Sequence, residues 1–225
     1  MSAELNLTLV SGGEERTATV NVRHAIIAGW TGRDPVAVEK HIKELEELGV
    51  PRPASTPIYY RVAASRITTA SQIQVTGTES SGETEFVLLK HDGRLWVGVG
   101  SDHTDRKVET YNITVSKQMC EKPMAHTFWT LDDVRDHWDR LELRSWTADG
   151  ELYQEGSVAA MRMPDELMTQ YAGKGLPDDA VMFCGTLAAI GGVRPSPQFS
   201  FELNDPVLGR KIAHAYEITE LPVLG

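Results

Sequence analysis

The chain has 225 residues, 41% of them hydrophobic and 24% charged, with 22 Lys and Arg against 32 Asp and Glu for a formal net charge of −10. That balance argues against nucleic acid as a partner, because phosphate binding needs a basic footprint, and an anionic membrane surface would repel the chain for the same reason. The longest weakly polar run, Ala180 to Val193, is too short to span a bilayer and contains three glycines. The N-terminus has no basic segment followed by an apolar block, and Cys120 and Cys184 match no metal or redox spacing. The expectation is a cytoplasmic protein with two reduced thiols.

The first segment reads as a β-hairpin. Leu5, Leu7 and Leu9 alternate with polar residues, Ser11-Gly12-Gly13 supplies a turn, and Ala18, Val20 and Val22 alternate again. A helix follows over 35–48, with Asp34 as its cap, Pro35 in its first turn and Gly49 as its stop. Short strands are then expected at Ile58–Val62, Gln72–Thr76, Glu85–Lys90, Arg94–Val99 and Val108–Val115, with a tight turn at His91-Asp92-Gly93. A second helix starts at Thr130. Strands resume at Leu141–Trp146 and Glu151–Gln154, split by a turn at Ala148-Asp149-Gly150. A third helix opens at Pro164 and ends near Gly173 and Gly175, and strands return at Val181–Cys184, Gln198–Leu203 and Lys211–Ile218. Many strands, three helices and no β-α-β rhythm point to a β-rich α+β fold rather than a doubly wound sheet or a (β/α)₈ barrel.

Four constellations carry chemistry. In Glu83-Thr84-Glu85 the two acids share a strand face, because side chains repeat every second residue. Adjacent like charges repel, and a hard divalent cation would neutralise them; two acids on a solvated strand edge fit the same pattern. Ser101-Asp102-His103-Thr104-Asp105-Arg106 follows an apolar strand, where Asp102 or Asp105 could be a third ligand and Arg106 could hold a carboxylate in bidentate fashion. His103 could be a ligand or simply a hydrogen-bonded structural group. On the helix, His41 falls within the apolar stripe of Val38, Ile42, Leu45 and Leu48, with Glu44 beside it. That pair suits a general base, or an ordinary helix pair. Gly185-Thr186 after an apolar strand could offer a hydroxyl and backbone N–H groups to an anion, or pack tightly. Lys117 is read as an amine at a strand end.

In this order the pieces resemble the fumarylacetoacetate hydrolase superfamily, through a divergent bacterial branch labelled only as a domain of unknown function. The likeness covers roughly Gly29 to Glu220. A His and Glu three apart on a lid helix are matched by His41 and Glu44, and E-x-E by Glu83 and Glu85. The segment N-D-x-[ST]-x-R is matched by Ser101 through Arg106, and [GA]-K-S loosely by Ser116-Lys117-Gln118. V-N-G-E-x-x-Q is matched by Ala148 through Gln154, and G-T-P-x-G-[VI]-G by Gly185 through Gly191. The resemblance implies a mixed β-sandwich roll in a single domain, with an N-terminal hairpin over 1–28 and the catalytic region over 29–225. It implies a homodimer, and Mg²⁺ or Mn²⁺ held by Glu83, Glu85 and Asp102.

It also implies a hydrolase that cleaves a C–C bond in a 1,3-dicarbonyl or related 2-oxo acid. His41, oriented by Glu44, would activate water as the helix closes. Lys117, Arg106, Gly185, Thr186 and Arg61 would meet the small anionic substrate. The same chemistry serves decarboxylation, hydration or isomerisation of a 2-oxo acid, and a catalytically idle binding protein is a third reading. The chain departs from the pattern at Ser101 for Asn, Leu187 for Pro and Lys107 for an acid. Glu109 stands where some members carry a substrate-binding Gln, and its charge disfavours the same anionic pose.

Overall fold

The computed structural model describes residues 2–47, 52–173 and 175–224. The side chains of His41, Glu44, Leu45 and Ala172, and the expected helix end at Leu48 and Gly49, lie outside the described residues. Apolar–polar alternation sets the first elements. β1 (Ala3–Ser11) and β2 (Glu14–Val22) form the expected hairpin, registered from Ala3↔Val22 to Ser11↔Glu14, with Gly12 and Gly13 at positive φ in its turn. β3 (His24–Gly29) does not alternate, because Ala25 to Ala28 are all buried, as in a strand covered on both faces. Asp34 caps α1 (Pro35–Glu47), its Oδ1 accepting from the N–H groups of Val36 and Ala37.

β4 (Ile58–Val62), β5 (Ile67–Thr68), β6 (Gln72–Thr76) and β7 (Ser80–Ser81) lead to the long pair β8 (Thr84–His91) and β9 (Arg94–Ser101). β10 (Thr104–Asp105) pairs with β7. The stretch expected as a strand over 108–115 is instead two short helices, α2 (Arg106–Glu109) and α3 (Ile113–Met119). Its β-branched residues favour a strand locally, but two caps outweigh them: Asp105 accepts from Val108 N–H and Asn112 from Val115 N–H. β11 (Lys122–Pro123), β12 (Thr127–Thr130) and α4 (Leu131–Val134) come next, the last where a helix is expected. The chain closes with β13 (Glu142–Thr147), β14 (Leu152–Ser157), α5 (Pro164–Ala172), β15 (Ala180–Thr186), β16 (Gln198–Asp205) and β17 (Arg210–Leu221).

Eight strands join in one mixed sheet, ordered β2-β1-β12-β9-β8-β15-β3-β4, and five in a second, ordered β14-β13-β16-β17-β6. The N-terminal hairpin is part of the large sheet, since β1 pairs in parallel with β12. One apolar cluster draws side chains from all eight strands of that sheet, from Val20 on β2 to Val62 on β4. Two edge strands can share a cluster only if the sheet curls, so this cluster fills the inside of a roll. The outer face, including Ile26, Phe86, Leu88, Val97 and Met182, packs on Leu143, Tyr153, Phe201 and Tyr216 of the second sheet. The result is the expected β-rich sandwich roll. Both cysteines are free and buried, and burial pushes the Cys120 thiol up to about 11. Among the described residues no helix is long and apolar enough to cross a membrane.

The roll is tight enough that β9 needs glycine where it faces inward. A Cβ on Gly98 would lie 2.6 Å from the Phe128 ring, and one on Gly100 would lie 2.6 Å from the Phe183 ring. Gly98→Ala is therefore expected to lower stability by about 1–3 kcal/mol through overpacking, measured by urea unfolding. A change within error would show that the ring moves aside freely.

Candidate metal centre

The site forms where β3, β8, β9 and β15 end together at one mouth of the roll. β8 and β9 are antiparallel, so the start of β8 lies beside the end of β9, and Asp102 N–H donates to Glu83 O at 2.9 Å. That pairing brings Glu83, Glu85 and Asp102 together: each offers a carboxylate oxygen, all within 4.8 Å of one another. Glu85 and Asp102 are buried, whereas the Glu83 side chain is 20% exposed. Glu83 sits just before β8 rather than within it.

Burial of like charges has to be compensated. Asp102 is held by two ammonium groups, Lys117 at Oδ2 and Lys122 at Oδ1, the latter at 3.0 Å. Desolvation acts to raise the Asp102 pKa, but the two lysines outweigh it and hold the carboxyl well below its usual range. Lys117 loses hydration too, yet Asp102 and Glu83 raise its pKa, so it stays an ammonium ion. Among the described residues Glu85 has no such ion-pair partner. Burial first, then the charge of Asp102, pushes its carboxyl well above the usual value; the charge of Lys117 and the Gly185 N–H, which donates to Oε2 at 2.7 Å, offset only part of this.

The residues fit a hard divalent cation. Three carboxylate oxygens are the ligand type that Mg²⁺ and Mn²⁺ prefer. Two oxygens on one Mg²⁺, each about 2.1 Å from it, lie at most about 4.2 Å apart, close to the spacing here. A cation would also supply the positive charge that Glu85 lacks.

The remaining expected residues fall in several places. Arg106 is at the site, but its Nε donates to Ser81 Oγ at 2.7 Å and its Nη1 meets Glu109 at 2.9 Å and Glu83 at 3.2 Å. Gly185 and Thr186 also serve protein groups rather than an open anion site. The Gly185 N–H is taken by Glu85, and the Thr186 hydroxyl donates to Thr84 O at 2.8 Å and accepts from Gln154 Nε2 at 2.7 Å. A bulge between Phe183 and Thr186 turns that N–H toward Glu85, with Gly185 at φ +95° and a Cβ there only 1.8 Å from Thr31 Oγ1.

Arg61 is not part of the centre. On β4 it points to the opposite side from Tyr60, and it contacts Tyr171 and His24. Lys117 is delivered by α3, not by a strand end. His103 is the structural group of the two readings: its Nδ1 pairs with Tyr216 OH at 2.8 Å and its Nε2 with Ser80 Oγ at 2.9 Å. Burial, then Lys122, pushes its pKa down to about 3, so the ring is neutral. For His41 and Glu44 the backbone of α1 is described and the side chains lie outside the described residues.

Sequence reasoning missed Lys122, Tyr60, Gln154 and Tyr216. Lys122 is fully buried, donates also to His103 O, and sits in a two-residue strand with no periodic pattern to mark it. Gln154 accepts from Thr84 N–H at 2.9 Å and Ser145 Oγ at 3.0 Å, tying the second sheet to the site; its place in the matched motif was the signal that could have found it.

Solved structures share this architecture. A fumarylacetoacetate hydrolase family protein from yeast superposes with a TM-score of 0.65 at 17% identity, over 90% of this chain and 95% of its own. A provisional fumarylacetoacetate isomerase/hydrolase from Oleispira antarctica gives 0.64 at 18% identity, over 95% and 99% of the two chains. A 2-keto-3-deoxy-D-arabinonate dehydratase complexed with magnesium and 2,5-dioxopentanoate gives 0.62 at 15% identity, over 92% and 77%. The fold is that of the fumarylacetoacetate hydrolases. Residues 28–216 match the family described as Protein of unknown function (DUF2848), and the chain belongs to that family. The curated proteins contain no match to the sequence. The resemblance read from the motifs therefore holds for the fold and for the divergent branch.

Lys122→Met removes one buried ammonium and leaves Asp102 and the His103 carbonyl short of a donor. The expected loss is about 3–5 kcal/mol of stability in urea unfolding. Lys211→Met, at the more exposed pair with Glu202, should change stability by less than about 1 kcal/mol. Equal effects would show that the buried lysine is not compensating the triad.

Proposed function

We propose that this protein is a divalent-metal-dependent hydrolase that cleaves a C–C bond in a 1,3-dicarbonyl or related 2-oxo acid. The observation that carries the reading is the convergence of Glu83, Glu85 and Asp102 within 4.8 Å at the mouth of the roll. These three residues would hold Mg²⁺ or Mn²⁺. When bound, such an ion supplies Lewis acidity, stabilising negative charge that develops on a coordinated oxygen.

The chain's own groups divide the remaining work. Lys117 and Lys122 fix Asp102 from both oxygens, which leaves its remaining lone pairs for the ion. Lys117 Nζ also lies 5.8 Å from the centre of the Tyr60 ring, so its charge faces an aromatic π-system as well as Asp102. The Glu85 carboxylate is aimed by the Gly185 N–H. α1 leaves the roll just after β3, whose end lies beside that of its parallel neighbour β15 and so at the same mouth as Gly185. In this reading α1 is the lid. His41 is the base that takes the proton of the attacking water, and Glu44, one turn on, orients it.

A second reading is dehydration or decarboxylation of a 2-oxo acid at the same centre. It is favoured by the dehydratase with this fold, solved with magnesium and 2,5-dioxopentanoate. His41 separates hydrolysis from decarboxylation, since hydrolysis requires activated water whereas loss of CO₂ gives the enolate without a base; dehydration needs a base as well.

The test is calorimetric titration of metal-stripped protein with Mg²⁺ and Mn²⁺, followed by a turnover screen of 2-oxo and 1,3-dicarbonyl acids. One site per chain is expected, weakened at least about tenfold in Glu83→Ala together with loss of metal-dependent turnover. No site in the wild type would put the idle binding protein first. Turnover unaltered in Glu83→Ala would sink the metal assignment. In His41→Ala a collapse of turnover speaks against decarboxylation, and a modest loss favours decarboxylation over hydrolysis; the products of the turnover screen distinguish hydrolysis from dehydration.

A further inference from the structure

The cations around the triad are all in use. Among the described residues, those that contact it are Arg106, Lys117 and Lys122. Lys122 is fully buried behind Asp102, and Lys117 is bound to the other oxygen of the same carboxylate. All three guanidinium nitrogens of Arg106 are engaged: Nε by Ser81 Oγ, Nη2 by Ser81 O, and Nη1 by Glu83 and Glu109 together. Lys107, next along α2, is exposed and contacts none of the triad. At the mouth, the side chains of Glu83 and Glu109 remain 20% and 29% exposed. They share one guanidinium nitrogen, so Glu109 stands within a few ångströms of the metal ligands.

We infer that Glu109 restricts this site to substrates with a single carboxylate, whose far end is neutral or carries hydrogen-bond donors. The inference rests on the metal-centre reading above and names its substrate class. Among the described residues, the four carboxylates and three protein cations of this network, with one divalent ion, sum to a single positive charge, which one chelating carboxylate neutralises. A second substrate carboxylate near Arg106 would have to displace Glu109 or Glu83 from it, or sit beside them unpaired. Like charges a few ångströms apart in a partly desolvated site oppose each other strongly enough to change affinity tenfold or more. A hydroxyl or ammonium at that end would instead find an acceptor in Glu109.

The experiment compares two non-cleavable 2-oxo acids of equal chain length, 2-oxopentanoate and 2-oxoglutarate, binding to Mg²⁺-loaded protein by calorimetry. Metal binding is measured first on the same preparation. Wild type is expected to bind the monoacid at least about tenfold more tightly than the diacid. In Glu109→Gln the preference should shrink about fivefold or more, with Mg²⁺ binding retained. Metal binding with equal or tighter binding of the diacid overturns the inference and leaves the metal centre standing. So does a preference unchanged in Glu109→Gln. Absence of a metal site overturns both together.

Discussion

Three carboxylates brought within 4.8 Å at the edge of a packed roll repel one another, and much of the surrounding structure exists to contain that repulsion. Water cannot do it, because Glu85 and Asp102 are buried. The chain instead inserts a crossover between β10 and β12 that carries two lysines to the same aspartate. Lys117 comes from a helix capped by Asn112, and Lys122 from a two-residue strand paired with β5. Both ammonium groups meet the Asp102 carboxylate, Lys122 donating to the His103 carbonyl as well and Lys117 lying over the Tyr60 ring. Glu85, with a backbone N–H for a partner, is the charge that stays unbalanced, and so marks where a cation belongs.

The ligands also need rigid supports, and these come from both sheets. Ser101, which stands where the family pattern has Asn, accepts from Glu83 N–H at 3.2 Å and pairs with Tyr216 OH at 2.9 Å. Tyr216 belongs to β17 and also pairs with His103, whose far nitrogen meets Ser80. A neutral imidazole suits this chain of hydrogen bonds, because a charged one would add a cation beside Lys122 in a buried setting. Gln154 performs the parallel task on the other side, linking Thr84, Ser145 and Thr186. Gly82 completes the floor: a Cβ there would lie 2.7 Å from the Phe199 ring. The sandwich face thus serves as a scaffold for the roll's mouth.

How much of the molecule is legible in its sequence depends on which forces are local. The hairpin of β1 and β2, the β8–β9 pair with its turn at Asp92 and Gly93, and the Asp34 cap are written in short spacings, and they stand where expected. The E-x-E pair and Asp102 are legible for the same reason, since each lies beside an apolar strand. The strand expected over 108–115 is lost to two side-chain caps that periodicity does not weigh. Lys122 and Tyr216 carry no local signal, because their role exists only once sequence-distant strands meet. Gly185 and Thr186 stand out in the sequence as chemistry-bearing residues, but whether their donors face a ligand or the protein depends on a bulge that only the β8–β15 register reveals.

The two lysines have a consequence for how the centre divides its labour. An aspartate already bound to two ammonium ions has less net charge to offer a metal than a free one, so Asp102 contributes position more than attraction. In the proposed metal centre, electrostatic hold on the ion would then fall mainly to Glu83 and Glu85. Of these, Glu83 shares its charge with Arg106 at 3.2 Å, which leaves Glu85 as the least compensated ligand. A protein of net charge −10 repels anions at long range, and at short range its own cations are turned inward onto its own acids. On the proposed function, attraction for an anionic substrate would therefore have to come from the ion itself. On that reading, substrate binding would be conditional on metal binding, because without the ion the site presents the partly exposed acids Glu83 and Glu109, and with it the cation's net positive charge.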